Sequence, residues 1–438
     1  MLRHCSLLNP ETVTFAPSME DEQQPVVQVT NDPLGAVRVP EYRNLMTGRF
    51  LFVCAMRMIT TVVGWWIYQL TKDPLAIGLI GLSEVIPALL LALYSGHKVD
   101  VSDKRKLLLR SVAGYFFAAG FLLFLSTDLA GKTFHIRHIT WCIYGTFFFT
   151  GILRSFAGPS LNSMIATIVP RQLLQNATTW NQGTWLSASV TGHALGGFLI
   201  ALYGITNTLA VIVTLIFAAL LILTQLKPKP PFKGNAEKKT WDSVAEGVRF
   251  VFRTKALLAA MALDMFAVLF GGAVAMIPVF ASDILKIGPM GYGWLNAASD
   301  IGSIVIVLIL TFSPMRKAQG KKMLIAVAGY GTCIILFGLS KWFLLSFFAL
   351  LVSGILDGIS VVVRGTVMQL LTPDHMRGRV SSVSGMFVTS SNEFGQFESG
   401  MMSRVLGVIP SVIFGGGMTL IVVITTWLKA PTLRKFEY

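Results

Sequence analysis

Residues 227–255 read KPKPPFKGNAEKKTWDSVAEGVRFVFRTK, with eight lysines or arginines. On either side the chain is a succession of apolar runs. A membrane-spanning helix needs about 20 mostly apolar residues. Six such runs precede the stretch, at about 47–70, 76–97, 106–126, 138–160, 178–203 and 206–226. Six follow it, at about 256–282, 290–312, 322–340, 342–370, 380–406 and 409–429. A long basic connection in the middle of twelve runs is the sequence form of an internal repeat. The expected architecture is an all-α membrane protein of 12 transmembrane helices in two pseudo-symmetric six-helix halves, 44–226 and 256–430. Within the stretch itself Trp241, Val244, Ala245, Val248, Val251 and Phe252 recur at helical spacing. That pattern predicts a short interfacial helix in the linker, tying the halves together.

Composition agrees. The 438 residues are 53% hydrophobic and 13% charged, against about 25% charged in soluble domains. Residues 1–43 are polar, carry Pro10, Pro17, Pro25, Pro33 and Pro40, and read as a disordered cytoplasmic tail. Residues 431–438 form a second cytoplasmic tail. Four scattered cysteines imply neither a disulfide framework nor a zinc site. No GxxxxGK[ST], HExxH or GxSxG motif occurs, and the six histidines are dispersed. An enzyme, a resident metal and a bound cofactor are therefore not expected, and uphill work must draw on an ion gradient or a partner protein.

The net charge of +14 is explained by topology. With the N-terminus in the cytoplasm, 27 lysines and arginines fall on the cytoplasmic side and 5 on the outer side. This bias fixes both termini inside and suits anionic lipid, so nucleic acid is not an expected partner.

Ionisable residues inside apolar runs are costly and mark polar paths or partners. Six carboxylates qualify: Glu84, Asp264, Asp300, Asp357, Glu393 and Glu398. So do Arg57, Arg154, Arg364, Arg404 and His193. At about 1.5 Å per residue, Arg57, Glu84, Asp300, Asp357 and Glu393 fall near the midplane. Asp264, Arg154 and Arg364 lie toward the cytoplasm, Glu398 and Arg404 toward the outside. Arg57 and Glu84 are an expected ion pair, as are Asp264 and Arg364. Asp357 and Arg364 share a helix face. Glu393 and Glu398, five apart, diverge by about 140°. Asp264 and Glu393 lead the candidates for proton coupling, followed by Asp357 and Glu84. Arg57, Trp65, Tyr68, Phe266, Asp300 and Arg364 are candidates to line a substrate cavity.

Three motifs add a resemblance. Gly96-His97-Lys98-Val99-Asp100 and then Lys104-Arg105-Lys106 resemble the loop motif G-x-x-x-D-R-x-G-R-[RK] of the major facilitator superfamily, with Val101 and Asp103 departing from it. Gly151 to Pro159, with Arg154, resembles that superfamily's R-x-x-x-G motif, and Gly192-His193-Ala194-Leu195-Gly196-Gly197 resembles the end of its antiporter motif, with His193 in place of proline. Over Val63–Pro87, Leu263–Pro289 and Val363–Gly400 the chain is similar to the enterobactin-exporter and macrolide-efflux branch, the transmembrane secretion effectors. The resemblance implies a major facilitator fold and a proton-driven exporter, an antiporter of a bacterial inner membrane. Its substrate would be an amphipathic small molecule such as a siderophore, macrolide or drug, with the proton gradient as energy source and no cofactor. It adds Arg154 and His193 to the proton-coupling candidates and makes Gly96, Asp100, Lys104 and Arg105 a conformational-switch loop. The expected partners are substrate and lipid bilayer, the expected state a monomer. A lysolipid or lipid flippase, or a solute importer of the same fold, is the alternative.

Overall fold

The computed structural model describes residues 32–228, 240–313, 315, 317–373 and 376–437. In chain order the helices are α1 (Pro40–Thr71), α2 (Pro74–Val101), α3 (Lys104–Leu125), α4 (Asp128–Thr133), α5 (Ile136–Ile168), α6 (Leu174–Thr224), α7 (Thr240–Arg253) and α8 (Lys255–Phe270). Then come α9 (Ile277–Val279), α10 (Gly288–Phe312), α11 (Gln319–Leu339), α12 (Phe343–Leu371), α13 (Arg377–Leu406), α14 (Val408–Lys429) and α15 (Pro431–Arg434). No strand occurs among the described residues. Local chemistry sets the boundaries. Pro74 occupies the first turn of α2, and the Asp73 carboxylate accepts from the Leu75 N–H at 3.0 Å. Asp103, where the loop motif has glycine, caps α3 by accepting from the N–H groups of Arg105 and Lys106 at 3.0 and 3.3 Å.

Nine helical stretches among the described residues are long and apolar enough to cross a membrane. One of them, α6, runs for 51 residues but breaks at Gly204, whose φ of 76° is outside the helical range. A second glycine in the left-handed region, Gly407 (φ 91°), separates α13 from α14. Both corners need the φ that only glycine adopts freely. α5 and α13, of 33 and 30 residues, are long but more polar.

The N-terminal tail expected over 1–43 falls mostly outside the described residues, but its last part is ordered. α1 begins at Pro40, and the buried Tyr42 donates its hydroxyl to the Ala177 carbonyl at 2.6 Å. Ahead of it, Asn176 and Trp180 both donate to the Pro33 carbonyl at 2.8 Å. The opposite tail also docks: Leu433 is fully buried, and the Gly320 N–H donates to the Phe436 carbonyl at 3.2 Å.

α1 packs along α6, and α2 along α5. In the second half α10 packs along α12, and α11 along α12 and α14. The halves meet along two seams, α2 against α13 and α6 against α10.

Candidate functional site

Small residues bring the seams together. A β-carbon at Gly197 would lie 2.5 Å from the Pro289 carbonyl oxygen and 2.6 Å from the Gly293 Cα. One at Gly78 would lie 2.9 Å from the Gln396 carbonyl oxygen, and one at Gly400 3.0 Å from that of Pro74. These close approaches lie toward the end of the bundle away from the chain termini. There Trp65 stacks on Tyr292 with ring centroids 5.7 Å apart, Tyr68 donates its hydroxyl to Asp283, and Gln69 donates to Ser282 at 3.3 Å. Arg404 lies 3.6 Å from Asp73 at the same end. Trp65 and Tyr68 are buried in this seam, where Gly64 lets α1 lie against Tyr292. Tyr68 also borders a cavity of about 470 Å³ at that end, shared with Lys72, Asp283 and Val408–Pro410.

The centre of the seam holds a charge cluster that spans both halves. The Arg154 guanidinium donates to Glu84 at 2.9 Å and to Glu393 at 2.7 Å. Glu84 and Arg154 belong to the first half, Glu393 to the second. Glu393 is buried, and its other oxygen accepts from Gln396 at 3.0 Å. The ion pair expected between Arg57 and Glu84 does not form. α1 runs along α6, not α2, and Gly192 admits the Arg57 side chain against α6. The guanidinium therefore stacks over Trp185, 5.0 Å from the ring centroid. Glu84 turns to α5, where Gly151 allows α2 close enough for Arg154 to reach it.

A second polar link crosses the seam between α6 and α10. The Ser189 hydroxyl donates to Asp300 at 2.5 Å, and His193 Nε2 is 3.9 Å from the same carboxylate oxygen. His193 Nδ1 faces the Thr61 hydroxyl at 2.8 Å. The Arg57 charge acts on His193, Asp300 and Glu393. Asp357, across the α10–α12 contact, interacts with the Asp300 charge and has no hydrogen bond or ion pair among the described residues.

The expected pair of Asp264 and Arg364 is present, joining α8 to α12 within the second half. Ser360 donates to the other Asp264 oxygen at 3.3 Å. Arg364 is thus taken up by Asp264 and does not join Asp357. Phe266, two residues on from Asp264 and so on the opposite face of α8, is 40% exposed. Glu398 keeps one buried oxygen without a partner, well apart from Glu393 as the five-residue spacing requires.

Of the switch loop, the side chains of Gly96 and Asp100 lie outside the described residues. Arg105 donates to the Thr224 carbonyl at the end of α6 at 2.5 Å, a contact inside the first half that suits the negative end of a helix. Lys104 is half-buried at the start of α3. Residues that sequence reasoning did not single out include Ser189, Trp185, Ser360 and Gln396. Only their places on helix faces packed against charged residues distinguish them.

Two helical halves meeting along small-residue seams, with charges buried between them, define a transporter of the major facilitator fold. Solved transporters superpose accordingly. A mutant of the nucleoside transporter NupG matches at TM-score 0.70 and 15% identity, covering 89% of this chain and 99% of its own. A bacterial homologue of the lysosomal transporter Spinster matches at TM-score 0.69 and 15% identity, covering 92% and 98%. The chain belongs to the transmembrane secretion effector family, whose profile matches residues 35–437. Among its relatives, the enterobactin exporter EntS of Shigella boydii serotype 4 is 24% identical over 403 residues, covering 91% of this chain and 94% of the exporter. EntS of Escherichia coli O1:K1 is 23% identical over 401 residues, covering 91% and 94%. The chain is accordingly a membrane-embedded transporter and not an enzyme.

Proposed function

We propose that this transporter is a proton-coupled exporter of an amphipathic small molecule of siderophore, macrolide or drug type. It works as an antiporter in a bacterial inner membrane, by alternating access. Both termini are cytoplasmic, the chain acts as a monomer, and it crosses the bilayer twelve times. α6 contributes two crossings, α5 one, and α13 one that is polar because it lines the seam. The proton gradient supplies the energy and no cofactor takes part. The observation that carries the reading is Arg154, which joins carboxylates of both halves. A contact shared across a seam must change when the halves rock, whereas one inside a half need not. Separation of the halves takes Arg154 from Glu393, and a buried carboxylate deprived of its cation takes up a proton. Return of the arginine expels it. Under the same orientation the tight seam is the outer one. Glu393 is preferred to Asp264 as the proton carrier because the arginine beside Asp264 moves with it. Asp300, Asp357, Arg57 and His193 are assigned to the substrate path next to the coupling site.

The test is flux in proteoliposomes under an imposed pH gradient, with a catecholate siderophore and a macrolide as probes. Gradient-driven movement of either probe, lost in Glu393→Gln, supports the reading. Movement indifferent to the gradient points to facilitated diffusion.

A further inference from the structure

α7 divides its surface into three sectors. At about 100° per residue, Gly247 and Val251 face the second half. Gly247 lies against Arg379 of α13, and Val251 is fully buried. About a quarter-turn to a third of a turn away are Ala245, Val248 and Phe252, all exposed, with Val248 at 37% and Phe252 at 58%. Next to them around the helix stand Arg249 and Arg253, both exposed, and Lys255 follows at the start of α8. Glu246 stands beside Arg253 at the border of that strip, and its charge is taken up by Arg379 at 2.5 Å, which leaves the two arginines as the strip's free charges. A helix with an unpartnered apolar strip beside a cationic strip fits the boundary of an anionic bilayer, acyl chains against the first and headgroups against the second. Its height is right, because only Thr254 separates it from the membrane-crossing stretch Lys255–Ile284. α7 also touches both α2 and α13, the two helices of one seam.

We propose that α7 is an anionic-lipid sensor: headgroups held by Arg249 and Arg253 fix α7 on the membrane, and the Glu246–Arg379 pair passes its position to α13. The lipid then biases how far α2 and α13 separate at the end bearing the termini. The inference rests on the rocking of the halves, though not on proton coupling.

The experiment uses the full chain with Cys5, Cys54, Cys142 and Cys333 replaced by alanine, reconstituted in phosphatidylcholine vesicles with or without phosphatidylglycerol. An environment-sensitive fluorophore on Phe252→Cys is quenched by brominated lipid. Quenching should increase with phosphatidylglycerol and fall with added salt. The Arg249→Glu/Arg253→Glu variant should lose both dependences, and Arg249→Lys/Arg253→Lys should keep them. Spin labels at Lys98→Cys and Ser382→Cys report the α2–α13 separation. Phosphatidylglycerol should shift their distance distribution, and Glu246→Gln should abolish the shift while leaving the quenching intact. Quenching indifferent to phosphatidylglycerol overturns the proposal. So does a separation that responds to pH but not to lipid, although this leaves the transport reading standing. A separation fixed under both overturns both. One that follows lipid and ignores pH supports the sensor and counts against proton coupling.

Discussion

Two arginines inside the helical bundle, Arg364 mostly buried and Arg154 about two-fifths exposed, make opposite use of their carboxylates. Arg364 meets Asp264 inside the second half, between α8 and α12. Arg154 meets Glu84 in its own half and Glu393 across the seam. The first pair can stay closed through a full transport cycle and contributes to the integrity of one rigid body. The second must exchange partners whenever the seam opens. In the proposed cycle, position relative to the seam, more than depth or burial, separates a structural ion pair from a coupling one.

The largest effect is expected at Arg154. Arg154→Ala leaves Glu84 and Glu393 facing each other without their cation, and gradient-driven flux should fall at least a hundredfold while the protein still inserts. Retention of more than a tenth of the flux would break the comparison. Asp264→Asn should act on stability instead. Breaking a buried pair by removing one partner costs about 3–5 kcal/mol, visible as a lowered thermal midpoint in detergent, with the pH profile of the remaining transport unchanged. The double variant Asp264→Leu/Arg364→Met should recover the midpoint, since replacing both members of a buried pair by apolar side chains is commonly neutral. Recovery of stability without transport would move the second pair into the mechanism.

Gly197→Val tests the seam itself. The added carbons collide with α10 backbone, and overpacking costs about 1–3 kcal/mol. That cost falls only on the state in which the seam is closed. Cysteine accessibility at the end away from the termini should rise, and unchanged accessibility would mean the seam gives way locally. The smallest effect belongs to Trp185→Leu, which removes the ring under Arg57 and about 0.5–2 kcal/mol of cation–π attraction. It should change the apparent affinity for substrate more than the maximal rate.

Much of the fold was legible because bilayer thickness imposes segment length. The linker helix was readable from its period, and α7 spans the expected residues. The partnership of Asp264 and Arg364 was legible too, from matched depth. Arg57 and Glu84 show the limit of that reasoning. Depth along a helix follows from residue number, but the face it presents depends on which neighbour it packs against. That choice is made by glycines such as Gly151 and Gly192, whose backbone approaches decide which helices touch. Arg154 was placed toward the cytoplasm, yet its long side chain reaches carboxylates assigned to the midplane.

The single-residue corner at Gly204 has a consequence for biogenesis. The insertion machinery receives 51 helical residues in which no charged residue occurs to mark a turn. The two arms of α6 must therefore enter the lipid as one helical hairpin, bent at a glycine that carries no polar signal. Replacing it by alanine should be felt during synthesis, as misinserted chains cleared by proteolysis, before any defect in a folded molecule can be measured. At the corresponding corner between α13 and α14, Arg404 stands three residues before Gly407 and supplies the charge that Gly204 lacks.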